Sequence, residues 1–282
     1  MNIAIVGLGV IGGSFAKGLQ AAGYTNVYGI DVNESTLKTA VNQGIIKKGF
    51  VEANDILQDM DVVMISLYPN QIASFVEQHK NRLKEGAVLT DVTGVKTTII
   101  EEIATVLPST VDFVFAHPMR GSEKQGIIGA DHTRFIGANA LITPIATNKE
   151  ASLQLIEKLY REVGFNQLTR VSPEKHDEQI AYVSQLMHVL SVAVVNSQQA
   201  SEETLTFAGN SFQELTRIAD INGELWSELF LNNRTALLKS INQFEVELNT
   251  MKRTLADNDE DELKRSLNRL LVNEENGTKC FL

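Results

Sequence analysis

Short apolar runs alternate with helical segments through the first half of the chain. The runs are apolar on both faces, as expected of strands that are buried on both sides of a sheet. The strands predicted in this way are residues 2–6, 27–31, 61–66, 87–91, 112–116 and 138–143. Strands that alternate with helices of this length predict a parallel, doubly wound sheet with helices on both faces.

The pattern becomes almost wholly helical after residue 165. Ser172 and Pro173 predict a helix start, because serine is a good cap and proline fits the first turn. Residues 178–200 are apolar around much of the helix circumference, which is typical of a bundle or dimer core. Further helices are predicted at about 226–252 and from an acidic turn at 257–261 to about 272, followed by a frayed tail. We therefore predict an α/β domain at 1–165 and an all-α domain at 166–282.

A glycine-rich loop follows the first predicted strand. The segment Gly7-Leu8-Gly9-Val10-Ile11-Gly12 matches the pattern G-x-G-x-x-G. Its three glycines would allow a tight turn, the approach of a pyrophosphate and close packing of helix on strand. Free N–H groups at the helix N-terminus would then bind the phosphates of a dinucleotide. The loop predicts a Rossmann-type domain in which Gly7, Leu8, Gly9, Val10, Ile11 and Gly12 contact the cofactor.

Asp31, at the end of the second predicted strand, favours NAD as that cofactor. It lies about 20 residues after the glycine loop, where a carboxylate accepts hydrogen bonds from the adenosine ribose. It would repel the 2′-phosphate of NADP, and the following Val32 and Asn33 offer no arginine to hold that phosphate. FAD is less favoured, because the second domain lacks the pattern of a flavin enzyme. The alternative interpretation is that Asp31 only caps the helix that begins near Asn33.

Composition and charge narrow the class of protein. The chain has 282 residues, is 43% hydrophobic and carries a net charge of −10 at pH 7. A negative surface argues against nucleic acid or an anionic membrane as the main partner. A single cysteine rules out an intrachain disulfide and a cysteine-based metal site. We expect a soluble cytoplasmic protein, because there is no basic leader and no apolar stretch approaches the ~20 residues that span a bilayer.

Histidine is well suited to accept a proton near neutral pH when a substrate gives up hydride. Of the five histidines, His117 directly follows the strand at 112–116. Ligands of doubly wound sheets bind at the carboxyl ends of the strands, so His117 is the first candidate. A loop histidine that merely caps the strand is the alternative. His79 and His132 lie in charged stretches that are typical of a surface.

The helical domain contains further polar candidates. His176 and Asp177 stand at a helix start and are interpreted as a capping or domain-contact pair. Ser184 and His188 are four residues apart and share a helix face, although a lone histidine in an apolar helix is usually a core residue. Arg217 has apolar neighbours on a predicted helix, which predicts a buried and paired guanidinium. Its partner is either a structural carboxylate or a substrate carboxylate held by two hydrogen bonds.

These residues, in this order, resemble the prephenate dehydrogenases of tyrosine biosynthesis. The resemblance runs from residue 1 to about 250 and rests on the segments 7–14, 28–31, 91–96, 117–123, 172–177, 181–188 and 212–219. It implies an NAD-dependent homodimer, with residues 178–200 in the dimer core. The implied reaction is oxidative decarboxylation of prephenate to 4-hydroxyphenylpyruvate, CO2 and NADH.

The resemblance also implies roles for single residues. His117 matches the catalytic histidine, which bonds the ring hydroxyl and takes its proton as hydride leaves C4. Loss of CO2 from C1 then makes the ring aromatic. Arg217 matches the arginine that binds a prephenate carboxylate. His188 matches the histidine that lines the substrate pocket, and Ser184 is expected to contact the substrate from the same helix face.

Three positions depart from the family pattern. Where the family often has Gly-Ser-Val-Lys, with a serine that assists the catalytic histidine, this chain reads Thr93-Gly94-Val95-Lys96. Thr93 is the candidate substitute for that hydroxyl. Arg120 stands where alanine is usual, and Met187 replaces a proline before the pocket histidine, which fits an uninterrupted helix. Too few residues follow the helices for a regulatory domain, so we expect no domain-mediated tyrosine feedback.

Three other functions are compatible with parts of this pattern. Arogenate dehydrogenase uses the same histidine chemistry on a substrate with an amino acid side chain in place of the pyruvyl group. Other hydroxyacid dehydrogenases with a helical second domain usually use lysine as the proton acceptor. A non-catalytic NAD(H) sensor, whose helical half binds a partner, would not need an assembled histidine and arginine pocket.

Overall fold

The computed structural model describes residues 1–53, 56–121, 124–197 and 206–268. Its strands are β1 (Ile3–Val6), β2 (Val27–Ile30), β3 (Lys48–Phe50), β4 (Val62–Ile65), β5 (Val88–Asp91), β6 (Asp112–Pro118), β7 (Asn139–Thr143) and β8 (Gln167–Arg170). Its helices are α1 (Val10–Ala21), α2 (Glu34–Asn42), α3 (Pro69–His79), α4 (Thr97–Val106), α5 (Glu150–Glu162), α6 (Pro173–Ile180), α7 (Leu186–Asn196), α8 (Asn210–Thr216), α9 (Gly223–Asn232), α10 (Arg234–Ala256) and α11 (Glu260–Asn268).

The strands of the described residues form one sheet in the order β3-β2-β1-β4-β5-β6-β7-β8. The first six strands are parallel, β7 is antiparallel to β6, and β8 is parallel to β7. The chain direction across the sheet reverses at β1, which has β2 on one side and β4 on the other. Such a switch point opens a crevice at the carboxyl ends of the strands, where ligands bind. The predicted doubly wound α/β fold is confirmed.

Two strands, β3 and β8, lie at the edges of the sheet and are absent from the predicted set. Strand β3, Lys-Gly-Phe, has only three residues, one exposed and two half-buried, and strand β8, Gln-Leu-Thr-Arg, is largely polar and mostly exposed. An edge strand is covered less than a central one, so neither produces the apolar run that marks the inner strands. Because of β8, the sheet continues to Arg170, beyond the predicted boundary at residue 165.

Two apolar cores cover the two faces of the sheet. On one face, Phe15 of α1 contacts the aromatic rings of Phe135, Tyr160 and Phe165, at centroid distances of 4.7, 4.9 and 6.0 Å. The other core contains Ile72 and Val76 of α3 and Ile99 and Ile103 of α4. Helices therefore bury both faces, as the apolar strands predict.

The helical part begins with the predicted cap. The Ser172 hydroxyl accepts a hydrogen bond from the N–H of Lys175 at 3.2 Å, and Pro173 occupies the first turn of α6. A π-helical turn, Ala181–Gln185, joins α6 to α7. The apolar segment predicted at 178–200 thus belongs to one long helix, Pro173–Asn196, with the π-helical turn near the middle of that helix. The last residues of the predicted segment, from 198, lie outside the described part of the chain.

The single helix predicted at 226–252 is wrong, because the chain forms two helices, α9 and α10, separated at Asn233. The side-chain amide of Asn233 donates hydrogen bonds to the carbonyl of Asp177 and to Oε1 of Gln185, both at 2.9 Å. The buried Asn233 thus connects the break to α6 and to the π-helical turn.

By its internal contacts the chain divides into two compact units, Met1–Arg234 and Thr235–Leu282. Within the second unit, α10 ends at a turn in which Asn258 adopts φ 51°. Asp259 then caps α11 by accepting a hydrogen bond from the N–H of Glu262 at 2.9 Å. The acidic turn at 257–261 therefore leads into a helix, as predicted, while the predicted helix end near 272 and the tail lie outside the described residues.

One helix of the described residues, Pro173–Asn196, is long and apolar enough to cross a membrane by length and composition. The most apolar stretch of 18 residues in this helix has a mean hydropathy of 1.2, and 28% of that stretch is buried. The expectation that no apolar stretch approaches this length is therefore wrong. The helix also carries His176, Asp177 and Gln185, whose buried side chains form hydrogen bonds with other parts of the first unit. Those contacts are typical of a helix docked in a folded protein.

Candidate functional site

The glycine loop after β1 has the shape that the pattern predicts. Gly7 adopts φ 83°, and a Cβ built there would collide with the carbonyl oxygen of Ser66. A Cβ on Gly12 would collide with the carbonyl oxygen of Gly7. A Cβ on Gly9, in contrast, would meet no described atom within 4 Å. The outer two glycines thus permit the turn itself, while Gly9 faces open space through which a phosphate can approach the backbone.

The N-terminus of α1 is open to an anion. Among the residues that the structure describes, no side chain caps this helix, and Gly9 is its N-cap. The first N–H groups of a helix have no partner inside it, and the helix dipole favours negative charge at that end. Leu8, Val10 and Ile11 complete the predicted loop. The loop therefore fits the pyrophosphate of a dinucleotide.

Asp31 directly follows β2 and braces the glycine loop. Its Oδ2 accepts a hydrogen bond from the N–H of Leu8 and its Oδ1 one from the N–H of Asn33, both at 2.8 Å. Asn33, not Asp31, caps α2, because its side chain accepts from the N–H groups of Ser35 and Thr36. The alternative reading of Asp31 as a helix cap is therefore wrong. A carboxylate has about four acceptor sites, so Asp31 can still accept the ribose hydroxyls of NAD.

His117 lies near the carboxyl end of β6, at the same sheet edge as the glycine loop. Its Nδ1 is 3.0 Å from Nε2 of His176 on α6, which is fully buried. Nδ1 of His176 is in turn 2.8 Å from Oδ1 of Asp177. The three side chains form a continuous line of hydrogen bonds that runs from the carboxyl end of β6 into the interior of the protein.

Asp177 is held at the N-terminus of α4. Its Oδ1 accepts a hydrogen bond from the N–H of Lys96 at 2.9 Å, and its Oδ2 accepts one from the N–H of Thr97 at 2.8 Å. Burial opposes ionisation of this carboxyl, but the hydrogen bonds from His176 and Thr97 outweigh burial and lower its pKa. Asp177 is therefore a carboxylate at neutral pH.

A buried ion pair lies beside this line. Nζ of Lys96 is 2.5 Å from Oδ2 of Asp91, and both side chains are fully buried. Lys96 also donates to the carbonyl of Thr93 at 2.9 Å, and Asp91 accepts from the N–H of Ala116 at 3.0 Å. Such a pair is tolerated only when further hydrogen bonds satisfy both charges, as they do here. It ties the end of β5 to β6 and to the start of α4.

The surroundings of His117 keep its imidazole neutral. Burial, followed by the electrostatic effects of the His176 ring and of the Lys96 ammonium, lowers the pKa of His117 well below 6.5. Burial also lowers the pKa of His176, although Asp177 opposes that effect. A neutral histidine at pH 7 has one ring nitrogen with a lone pair, so His117 can accept a proton.

The structure does not bring Thr93 to His117 in place of the family serine. The Thr93 hydroxyl instead contacts Oδ2 of Asp91 and the carbonyl of Val95. The residue beside the histidine is Gly94, because a Cβ built on it would lie 3.6 Å from Nε2 of His117. The one-residue displacement in the sequence therefore turns the hydroxyl toward the buried ion pair and leaves the position facing the imidazole without a side chain.

His188 and Ser184 contact each other as their spacing predicts. Nδ1 of His188 lies 3.0 Å from the carbonyl oxygen of Ser184, so the contact uses the backbone of Ser184. The His188 ring stacks on Trp226 of α9, with centroids 3.7 Å apart. His188 is thus oriented on two sides, by the helix turn and by the indole ring.

The expectation of a buried Arg217 is wrong for the single chain, in which this residue is exposed. It follows the end of α8 and begins a short 3-10 turn. The apolar neighbours that suggested burial are themselves uncovered, with Phe212 39% and Leu215 48% exposed. Arg217 therefore lies on an apolar helical surface rather than in the core of the chain.

His176, Asp177 and Lys96 are site residues that sequence reasoning missed. The sequence predicts a capping or domain-contact pair at His176 and Asp177, which describes their position but not the hydrogen bond to His117. The sequence signal is the His-Asp dipeptide just inside a capped helix. His117 and His176 are 59 positions apart in the chain, so their contact cannot be predicted from local spacing.

Comparisons with known proteins match this architecture over most of the chain. The family model "Prephenate dehydrogenase, nucleotide-binding domain" matches residues 15–168, and "Prephenate dehydrogenase, dimerization domain" matches residues 172–269. The chain is 25% identical to the prephenate dehydrogenase of Bacillus subtilis (strain 168), over 94% of this chain and 72% of that protein.

Two solved structures show the same fold. The prephenate dehydrogenase from A. aeolicus, in complex with hydroxyphenyl propionate and NAD+, is 30% identical, with a TM-score of 0.88 over 96% of both chains. The arogenate dehydrogenase of Synechocystis is 26% identical, with a TM-score of 0.80 over 96% of this chain and 98% of that one. Since two family models span almost all of its length, the chain belongs to the prephenate dehydrogenase family and is an NAD-binding oxidoreductase with that family's dimerization domain.

Proposed function

We propose that this protein is a prephenate dehydrogenase, which uses NAD+ to convert prephenate to 4-hydroxyphenylpyruvate, CO2 and NADH. The observation that carries the proposal is His117, a neutral histidine at the carboxyl edge of the nucleotide-binding sheet. A base at the carboxyl ends of the strands lies on the side of the sheet where a dinucleotide binds, and hydride must leave the substrate on that side.

The reaction needs a base that takes a proton and later returns it. Bound NAD+ supplies the hydride acceptor. Nε2 of His117 accepts the proton of the C4 hydroxyl as hydride leaves C4. The C1–CO2 bond then breaks, its electron pair completes the aromatic ring, and the resulting phenolate oxygen takes the proton back from His117. The proton is conserved, so the products are those of the stated reaction.

The helical part of the chain supplies the residues that orient the substrate in this proposal. Arg217 binds a prephenate carboxylate through its planar guanidinium, and His188 and Ser184 line the pocket. The stacking of His188 on Trp226 supports a fixed orientation for that ring. Thr93 supports the Asp91–Lys96 pair and does not act on the substrate. In this proposal the site lies between the carboxyl ends of the sheet strands and the helices α7 and α8.

Arogenate is the second candidate substrate. The likeness to the arogenate dehydrogenase of Synechocystis favours it, because the fold and the identity are similar to those of the A. aeolicus prephenate dehydrogenase. Arogenate carries an ammonium group where prephenate carries the keto oxygen of its pyruvyl side chain, and both side chains end in a carboxylate. The two substrates share the ring that His117 acts on, so they differ only in the contacts of the side chain.

The test is a comparison of substrates with the purified protein. NADH formation is measured with prephenate, with arogenate and with a simple 2-hydroxy acid, and NADP+ replaces NAD+ in a parallel series. We expect kcat/KM to be at least about tenfold higher for prephenate than for arogenate, which corresponds to about 1.4 kcal/mol of discrimination. A higher value for arogenate establishes the second candidate. NAD binding without turnover of any substrate supports the sensor instead.

A further inference from the structure

The hydrogen-bond line from His117 to Asp177 has a direction. Asp177 is ionised and accepts hydrogen bonds from two backbone N–H groups, so it can only accept from His176. The proton of the His176 ring must therefore sit on Nδ1, which faces Asp177. In a neutral imidazole the other nitrogen, Nε2, is then an acceptor.

The same reasoning extends to His117. Nε2 of His176 is an acceptor and lies 3.0 Å from Nδ1 of His117, so Nδ1 of His117 carries the proton. The lone pair of His117 is left on Nε2. Nε2 faces Gly94, which has no side chain, and a methyl group of Leu229 is the other nearby side-chain atom at this position.

We propose that His176 and Asp177 are a positioning pair that fixes the tautomer of His117 and thereby makes its Nε2 the base. The inference rests on the proposed function, since it assigns a role to residues that act through the catalytic histidine. His176 is buried behind His117, and Asp177 lies behind His176, so both act through the catalytic histidine. Their role matches the general arrangement in which an acidic group orients a histidine base and selects its tautomer.

The construction of the pair supports this role. His176 is fully buried and Asp177 nearly so, which is costly unless every polar atom has a partner. The carboxylate receives bonds from Lys96 and Thr97, and the carbonyl of Asp177 accepts from Asn233. Strand β6, the start of α4 and the junction between α9 and α10 therefore all bind a dipeptide that a capping role alone would leave at the surface.

The first substitution tests the hydrogen bond between Asp177 and His176. Asp177→Asn allows the amide to donate to Nδ1 of His176, which reverses both tautomers and leaves Nε2 of His117 protonated. We expect kcat to fall about 10²–10⁴-fold with little change in KM, because an Asp→Asn change in a Ser-His-Asp triad lowers kcat about 10⁴-fold for this reason. Glu174→Gln is the matched control, since Glu174 is an exposed carboxylate on the same helix.

A second pair of variants tests the link between the two histidines. His176→Gln keeps an oxygen that can accept from Nδ1 of His117, whereas His176→Leu fills similar space without an acceptor. We expect His176→Leu to lose at least about tenfold more kcat than His176→Gln. A merely structural histidine would not show this order, because leucine suits a buried position better than glutamine does.

The pH profile supplies a further readout. The groups that face His117 are His176 on α6 and the Lys96–Asp91 pair of the β5–α4 segment, with Asp177 behind His176. In the wild type we expect kcat to be flat at neutral pH and to fall only in acid. In Asp177→Asn the low kcat should persist across the neutral range, because a wrong tautomer is not corrected by raising the pH.

The tautomer itself is measured by 15N NMR of histidine-labelled protein without substrate. In the wild type and in Glu174→Gln we expect Nδ1 of His117 to carry the proton, and in Asp177→Asn we expect Nε2 to carry it. Wild-type kcat together with an unchanged tautomer in Asp177→Asn overturns the inference, as does equal kcat in His176→Gln and His176→Leu. Since this measurement needs no turnover, it decides the role of the pair even where the substrate comparison rejects the proposed function.

Discussion

At the scale of single residues, the chemistry of His117 depends on its neighbours more than on its own type. Two other histidines, His79 and His132, have no comparable line of partners among the described residues. The expectation of a surface position is wrong for His79, which is buried at the end of α3 although its neighbours in the sequence are charged. Burial and the electrostatic effects of His176 and Lys96 keep His117 neutral, and the hydrogen bond to His176 orients its ring. A proton acceptor results from the combination of these effects.

His117→Ala should lower kcat by about 10²–10⁴-fold, the usual contribution of a positioned acid–base group. NAD binding should stay within about twofold of wild type, because the glycine loop and Asp31 do not depend on His117. Steady-state kinetics and calorimetric titration with NAD+ measure the two quantities. His132→Ala, a change at a partly exposed histidine, is the control and should behave as wild type. A loss of less than about fivefold would exclude His117 as the base.

Arg217→Ala should raise the KM for prephenate about 10–100-fold while kcat changes less, because an arginine that binds a carboxylate acts on substrate affinity. Arg217→Lys should recover little, since lysine lacks the planar fork of the guanidinium. Arg161→Ala removes an exposed arginine from α5 and should leave KM unchanged. Unchanged KM in Arg217→Ala would return Arg217 to a purely structural role.

At the scale of elements, the loop between β1 and α1 divides its glycines by function. Gly7 and Gly12 are required by close backbone contacts, and Gly9 borders open space. A second junction, between β5 and α4, holds the Lys96–Asp91 pair and receives Asp177 from α6. Both junctions follow the carboxyl ends of parallel strands of the same sheet. The sheet therefore positions both the cofactor loop and the residues around the base.

Gly12→Ala should therefore affect mainly the stability of the fold, and Gly9→Ala mainly the binding of NAD. Gly12→Ala places a Cβ against the backbone and should lower the free energy of unfolding by more than about 2 kcal/mol. Gly9→Ala should change it by less than about 0.5 kcal/mol but weaken NAD binding at least tenfold, because its methyl group occupies the approach to the phosphates. Urea unfolding and NAD+ titration provide the data. Tight NAD binding in Gly9→Ala would contradict the position assigned to the pyrophosphate.

At the scale of the whole molecule, the helical part presents apolar side chains that the single chain leaves uncovered. On the long helix Tyr182 is 60%, Val183 53%, Val194 38% and Val195 39% exposed, and on α9 Leu231 is 70% exposed. Exposed apolar surface of this extent is typical of an interaction site. Its location inside the family's dimerization domain supports a homodimer.

Light scattering should accordingly give a mass of twice the 31.1 kDa chain. The double variant Val194→Asp with Val195→Asp should shift the mass toward the monomer, because charges in an apolar interface lose their hydration without gaining partners. Ile136→Asp is the control, since Ile136 is an exposed apolar residue of the sheet domain, 66% accessible. A monomeric wild type at micromolar concentration would contradict the assigned interface.

The stability of the folded chain should fall in mild acid. The pKa values of His117, His176 and His79 are all lowered, chiefly by burial, relative to a value near 6.5 in the unfolded chain. Below about pH 6.5 the unfolded chain therefore binds more protons than the folded one, and unfolding becomes easier as the pH decreases. At pH 5.5 we expect a loss of about 1–3 kcal/mol relative to pH 7.5, since one pKa unit corresponds to about 1.4 kcal/mol per group.

Urea unfolding at the two pH values measures this difference, and His176→Leu should reduce it by removing one of the titrating groups. The aspartates with lowered pKa values, Asp61, Asp131 and Asp177, titrate at still lower pH and do not contribute in this window. Equal stability at pH 5.5 and 7.5 would show that the histidines protonate freely in the folded chain.

Local spacing along the sequence determined the doubly wound sheet, the glycine loop, Asp31 and the position of His117. Each depends on residues within a turn or a strand, whose periodicity is visible in any stretch of sequence. The edge strands β3, which is short, and β8, which is polar, have no such signal, and they form because a neighbouring strand offers free hydrogen-bonding groups.

Only the tertiary structure decided the rest. It brought His176 and Asp177 to His117, broke the long helix at Asn233, turned the Thr93 hydroxyl away from the base and left Arg217 on an exposed surface. These outcomes depend on which elements meet and in what register, and therefore on contacts between residues far apart in the chain. The sequence identified His117 as the candidate base, but the hydrogen bonds that select its reactive nitrogen form only in the folded protein.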